Sequence, residues 1–175
     1  MKISTKNGDR GKTKLMFNRE VSKASERVCA YGALDDFSAT LGLARSYADD
    51  ETAALLLQIQ EDLVFLMTEL ATAKEDFQKL TEKKLRLLGE AELSKFENLI
   101  DEIEGDGKIF SGWAHSGETR LQAALDMART RCRFAEREIV RLAETEGLAR
   151  EFPIVYVNRL ADLLWLLAQK AAKPS

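Results

Sequence analysis

From Ser25 onward, apolar residues recur in alternating steps of three and four. Ala30, Leu34, Phe37, Leu41 and Ala44 form the first stripe, and Leu56, Ile59, Leu63, Leu66, Leu70 and Ala73 the second. After a charged stretch at 74–90 comes a third: Leu93, Phe96, Ile100 and Ile103. Leu121, Leu125, Ala128, Cys132, Ala135, Ile139 and Leu142 make the fourth, and Tyr156, Leu160, Leu163 and Leu167 the last. This spacing lines one face of an α-helix. The strict alternation of a strand is absent. Five helices with such stripes bury them best against one another, so the expected fold is all-α, a five-helix antiparallel bundle of up-and-down architecture. Residues 1–24 are polar, hold Gly8 and Gly11, and read as an N-terminal arm; residues 25–175 read as the bundle domain.

The connectors carry their own signals. Residues 48–50 predict a tight turn with Asp49 or Asp50 as the N-cap of the second helix. Gly147 ends the fourth helix and Pro153 sits at the start of the fifth. Residues 105–119 form a long loop that carries Phe110, Trp113 and the single histidine, His115. Loops of that length inside a compact domain are usually functional or disordered, and these residue types favour function.

Composition narrows the class. Only 2 prolines and 10 glycines occur in 175 residues, which favours helix throughout. The net charge of -3 argues against a general nucleic-acid binder. Cys29 and Cys132 are too few for a disulfide framework and read as reduced core thiols of a cytoplasmic protein. No charged head precedes an apolar run at the start, so no signal peptide is expected. Residues 155–168 are too few to span a bilayer and include Arg159 and Asp162, so no membrane partner is expected.

Three constellations carry candidate chemistry. The arm reads Thr5-Lys6-Asn7-Gly8-Asp9-Arg10-Gly11-Lys12-Thr13. Its glycines would let backbone N–H groups approach phosphate oxygens, and its cations would neutralise them. Gly11-Lys12-Thr13 is like the tail of a Walker A loop, but Lys6 stands where that motif needs its first glycine and no apolar strand precedes it. The alternative is a solvated tail. On the fourth helix Arg129, Arg133 and Arg137 are four apart and share a face that flanks the core. Such a row needs an anionic partner, either carboxylates, Asp35 among them, or a triphosphate; the alternative is a solvated charged face. Asn158-Arg159-Leu160-Ala161-Asp162 predicts a hydrogen-bonded cluster near the start of the last helix, structural or functional. A lone His115 and the lack of a Glu-x-x-His pair exclude a ferritin-like metal cluster, and no motif supports a Ser or Cys nucleophile. Trp165, at helical spacing, is either core or one wall for a large flat ligand.

Taken in order, these segments resemble the signature regions of the PduO-type ATP:cob(I)alamin adenosyltransferases over residues 2–171. The start, Lys2-Ile3-Ser4-Thr5-Lys6-Asn7-Gly8-Asp9-Arg10-Gly11-Lys12-Thr13, resembles K-I-x-T-K-T-G-D-x-G-x-T. Val21-Ser22-Lys23 and Arg27-Val28-Cys29-Ala30-Tyr31-Gly32-Ala33-Leu34-Asp35-Asp36 resemble R-V-x-K and R-V-x-A-Y-G-x-V-D-E. The run from Ala128 through Arg129, Cys132, Arg133 and Glu136 to Arg137 resembles A-R-x-x-C-R-R-A-E-R, and the segment from Asn158 to Asp162 resembles N-R-L-S-D.

The resemblance implies transfer of the 5′-deoxyadenosyl group of ATP to the cobalt of cob(I)alamin. It implies a homotrimer of ferritin-like five-helix bundles with active sites between subunits, and ATP under the N-terminal arm. By position, Thr5, Lys6, Gly8, Asp9, Gly11, Lys12, Thr13 and Lys23 would cradle the triphosphate with Mg²⁺. Arg129 would pair with Asp35 across the subunit contact, and Arg133, Glu136 and Asn158 would position ATP. An apolar wall that displaces the lower cobalt ligand would include Trp113 and Trp165, where the family has phenylalanines, with Phe110 nearby. A flavin reductase and a B12-dependent enzyme would be partners. The rival reading is a non-catalytic bundle of the same descent that binds ATP or a corrinoid as a chaperone or sensor. Departures from the pattern are Asn7 for threonine, Phe17-Asn18 for a Gly-Gly pair, Ser38 for asparagine and Ser116-Gly117-Glu118 for Pro-Gly-Gly.

Overall fold

The helices end where the sequence marks them. In the computed structural model, which describes residues 8–105, 107 and 114–172, α1 spans Glu26–Arg45 and α2 Asp50–Leu70. Asp49 is the cap of α2, its carboxylate accepting the Thr52 N–H at 2.8 Å. The charged stretch that follows is not featureless: it holds a 3₁₀ turn at Lys74–Asp76 and a short helix, α3, at Gln78–Glu82. Then come α4 at Glu90–Gly105, α5 at Arg120–Thr145 and α6 at Phe152–Ala172. Gly147 takes φ +78° and its N–H returns to the Leu142 carbonyl, the left-handed turn that stops α5. Pro153 lies in the first turn of α6, where a missing N–H costs nothing.

The five stripes supply most of one core, with Ile100, Leu121 and Leu167 partly buried at its edge. α1 packs against α2 and α5, and α5 against α6. Each long helix runs antiparallel to its predecessor in the chain. Arg27 meets Glu146 and Asp36 meets Arg131 across α1 and α5, while Thr119 reaches Ala171 and Cys132 reaches Val157 across α5 and α6. The up-and-down order makes α4 and α6 co-directional neighbours. Phe96 stacks on Tyr156, Glu97 meets Arg159, and Ile103 and Leu167 line one cavity.

The arm departs from its expected form. It folds as a two-stranded antiparallel hairpin, β1 at Lys12–Lys14 and β2 at Glu20–Ser22, with Thr13 opposite Val21. Three-residue strands are too short for alternation to be visible in a sequence, and a hairpin this small is not stable without support. The support comes from the bundle: Leu15 is buried, and the Met16 N–H donates to the Ala71 carbonyl at 2.9 Å.

Candidate functional site

The glycine turn of the arm is ordered by its own backbone. The Gly11 N–H donates to the Gly8 carbonyl at 3.2 Å, and the Gly11 carbonyl accepts the Lys23 N–H at 2.9 Å. Gly11 has φ +71°, a conformation that glycine adopts at no steric cost. At Gly8 a Cβ would lie 2.7 Å from Lys23 Nζ, the mobile tip of a long side chain that rests over the turn. Lys12 points elsewhere, to Glu20 at 2.8 Å, an exposed pair in which the ammonium is shifted up and the carboxylate down by their mutual hydrogen bond. Thr13 lies beside the Tyr31 phenol of α1, whose pKa burial pushes up. Asp9 is exposed beside the turn. Thr5 and Lys6 lie outside the described residues.

The arginine row sits on α5. Arg129 is half-buried and pairs with Asp126 one turn earlier at 2.8 Å. Within one protomer, therefore, Arg129 does not meet Asp35, which is exposed; it is the neighbouring Asp36 that pairs with α5, through Arg131 at 3.1 Å. Arg133 lies 3.6 Å from Glu136, and Glu136 also accepts the Asn158 amide of α6 at 2.9 Å. Arg137 lies over the Phe134 ring. Arg133 and Arg137 are exposed, yet they do not stand alone. With Glu136, Val140, Arg141 and Glu144 they line a groove of about 340 Å³. Arg141 is tied to Glu138 and to Glu26 at the start of α1, next to the arm.

A second groove, of about 560 Å³, opens between α4 and α6. Trp165, Ile100 and Leu166 give it an apolar side, while Glu97, Asp101, Glu104 and Asp162 give it an acidic one. Arg159 bridges Glu97 and Asp162 at its end. Phe110 and Trp113 lie outside the described residues. The base of their loop is set by the buried Gln122, whose Oε1 accepts the Gly117 and Glu118 N–H groups and whose amide donates to the His115 carbonyl. Among the described residues no group of three or more His, Cys, Asp or Glu side chains is arranged for a metal ion. The Cys132 thiol is buried, donates to the Val157 carbonyl, and is pushed up by that burial, so it is inert. Among the described residues no helix is long and apolar enough to cross a membrane.

Arg133, Glu136 and Asn158, which the family resemblance assigned together to ATP, lie within one hydrogen-bonded cluster. The sequence pattern missed Tyr31 as the neighbour of Thr13, Asp126 as the companion of Arg129, and Arg141 and Glu144 as groove walls. The last two were legible in principle, since residues 133, 137, 141 and 144 continue the same three-four spacing on α5.

A model of the cobalamin adenosyltransferase family matches residues 3–171. The corrinoid adenosyltransferase PduO of Salmonella typhimurium is 37% identical over 170 residues, 97% of this chain and 49% of that protein. The corrinoid adenosyltransferase of Bacillus subtilis is 32% identical over 97% of this chain and 86% of its own length. The chain thus spans about half the length of the PduO relatives it matches and most of the shorter ones. Among solved structures, a variant PduO-type ATP:corrinoid adenosyltransferase from Lactobacillus reuteri, complexed with cobalamin and ATP, superposes with a TM-score of 0.87. It is 31% identical, with 98% of this chain and 93% of that chain covered. Another variant of that enzyme, complexed with ATP, gives a TM-score of 0.85 at 30% identity, covering 98% and 94%.

Proposed function

The chain belongs to the cobalamin adenosyltransferase family, and from that premise we propose that it transfers the 5′-deoxyadenosyl group of ATP to the cobalt of cob(I)alamin, releasing triphosphate. The observation that carries the reading is the Arg133, Glu136 and Asn158 constellation, hydrogen-bonded across α5 and α6 and open to a groove of about 340 Å³. The corrinoid and ATP bound by the Lactobacillus reuteri relatives support both substrates.

In this reaction the substrate cobalt supplies the electron pair. It attacks the ribose 5′ carbon, the bond from that carbon to the triphosphate oxygen breaks, and cobalt goes formally from the +1 to the +3 state. No proton is removed, so no general base is needed, in keeping with a chain that holds a single histidine. What the protein must supply is positive charge where the leaving triphosphate gathers negative charge. Arg133 and Arg137 serve on the groove side. On the arm side Lys12 is already neutralised by Glu20, which leaves Lys23, laid against the glycine turn, as the cation of choice. The N–H groups of the turn and the Thr13 hydroxyl complete the cradle.

Mg²⁺ commonly binds through one or two carboxylates and the substrate phosphates, so it needs no dedicated cage of side chains. The exposed Asp9 and the Thr13 hydroxyl fit that donor set, and the ion would offset triphosphate charge. Trp165 would wall the corrinoid's lower face, excluding water and a nitrogen ligand, and the resemblance assigns Phe110 and Trp113 to the same role.

The active unit is a homotrimer in which Asp35 of one protomer takes Arg129 of the next. Exposed apolar residues on α1 and α5, Leu43, Met127 and Phe134, with Tyr47 in the turn after α1, support an association surface. The location is cytoplasmic, with a flavin reductase supplying the reduced corrinoid and a B12-dependent enzyme receiving the product.

The test is turnover. Mixed anaerobically with ATP, Mg²⁺ and reduced cobalamin, the protein is expected to produce the adenosylcobalamin spectrum and one triphosphate per product. Binding of both ligands without product would favour a chaperone or sensor of the same descent.

A further inference from the structure

Beyond the glycine turn, the arm carries a feature at its other end that adenosyl transfer does not itself require. Phe17 and Asn18 both have positive φ, 61° and 64°. Asparagine tolerates the left-handed region, whereas a bulky aromatic residue rarely occupies it. The conformation of Phe17 persists only if its surroundings hold it, and the contacts around it do so. Its ring lies under two ammonium groups, Lys79 and Lys83, each 5.6 Å from the ring centre. Arg19 donates from Nε at 3.0 Å to one carboxylate oxygen of Asp76, and its terminal nitrogen lies 2.9 Å from the same oxygen as an ion pair. The other oxygen of Asp76 takes Lys79 at 2.7 Å. Between these contacts the Met16 N–H is bound to the Ala71 carbonyl.

The loop that joins β1 to β2 is thus clamped to the segment following α2. Asp76 is itself buried, and Lys79 and Arg19 hold its carboxyl below the usual range, so the clamp is charged at neutral pH. The hairpin is only three residue pairs long. Where its loop end is fixed, its open end, with the Gly8 to Gly11 turn and Lys23, is fixed too.

We infer that Phe17, Arg19 and Asp76 form a pin that docks the N-terminal hairpin on its own protomer before nucleotide arrives, and that the pin governs ATP affinity rather than the rate of transfer. An arm free of the bundle would lose its conformational freedom each time it closed on ATP; a docked arm has already lost it. The three are positioning residues, since none touches substrate. The ATP part of the inference rests on the proposed function; the docking part does not.

The experiment uses the full chain with Phe17→Gly, Arg19→Ala and Arg19→Lys. Glycine accepts the same backbone angles, so Phe17→Gly removes the ring contact without adding strain. Amide hydrogen exchange and steady-state kinetics at saturating corrinoid are measured on each. Phe17→Gly and Arg19→Ala are expected to speed exchange across residues 12–23 while leaving the long helices unchanged. They should raise the KM for ATP roughly tenfold with kcat held within about twofold, and Arg19→Lys should recover part of the loss. Hairpin exchange equal to that of the parent chain would overturn the pin, as would a fall in kcat at constant KM. A parent chain that neither binds ATP nor transfers the adenosyl group would remove the functional reading instead, with the exchange result still deciding the docking.

Discussion

A guanidinium half open to water gains little from one carboxylate beside it. Arg133 is 47% exposed and 3.6 Å from Glu136, so the pair adds little to folding. Its donors instead remain available to an anion that enters the groove. Replacing it with alanine should therefore separate chemistry from stability. Arg133→Ala is expected to lower kcat by a hundredfold or more, roughly the effect of removing one preorganised donor from a developing anion. The far-UV circular dichroism and the melting temperature should stay at the parent values. Activity within about threefold of the parent would take Arg133 out of the site. Phe17 makes the opposite case at this scale. Its residue type, where the resembled pattern has a glycine, announced a departure; only its backbone angle and the two lysines over its ring say how the departure is accommodated.

At the scale of elements, the end of the bundle beneath the arm is joined by one side chain. Arg27 of α1 is 4% exposed and donates to the Leu70 carbonyl at the end of α2 and the Thr72 carbonyl just past it, and to the Gly147 carbonyl and the Glu146 carboxylate past the end of α5. Helix C-termini leave carbonyls without partners, and here a single guanidinium takes the last carbonyl of α2 and the carbonyls of the turns that follow α2 and α5. Arg27→Ala would orphan buried acceptors and is expected to cost about 3 kcal/mol. For a chain of this size that lowers the melting temperature by roughly 10 °C. Differential scanning calorimetry checks it, and a shift under about 2 °C would show that water replaces the guanidinium. The elements themselves were largely legible. Each of the five long helices coincides with a three-four stripe, because burying one face of a helix imposes that period on the chain. The hairpin was not legible, since three residues are fewer than alternation needs. The short helix α3 was hidden in a charged run, and its five residues bury only Leu80.

For the whole molecule, the site is expected to be complete only between protomers. In one protomer Arg129 is held by Asp126 while Asp35 is exposed, which is the arrangement to expect if Asp35 finds its arginine on a neighbour. Light scattering should give three times the protomer mass of 19.6 kDa. Asp35→Arg should lower both the measured mass and the transfer rate, because it places like charges at the contact. A parent chain that is fully active as a monomer would refute the shared site. The same scale holds the co-directional pairing of α4 and α6, with its groove of about 560 Å³ beside Trp165. Stripe periodicity says that helices pack, but not which helices become neighbours.

Residue order alone determined the all-α class, the position of each long helix, the stop at Gly147, and the row of Arg129, Arg133 and Arg137 on one helix face. These follow from periods and spacings that a local backbone imposes wherever it occurs. Tertiary structure decided which carboxylate each arginine takes, that Lys12 is neutralised while Lys23 lies on the glycine turn, and that the arm is a hairpin held at Phe17 and Arg19. Those outcomes depend on distances of a few ångströms between segments far apart in the chain. Coulomb and hydrogen-bond energies at that range are set by three-dimensional placement, which no local pattern encodes.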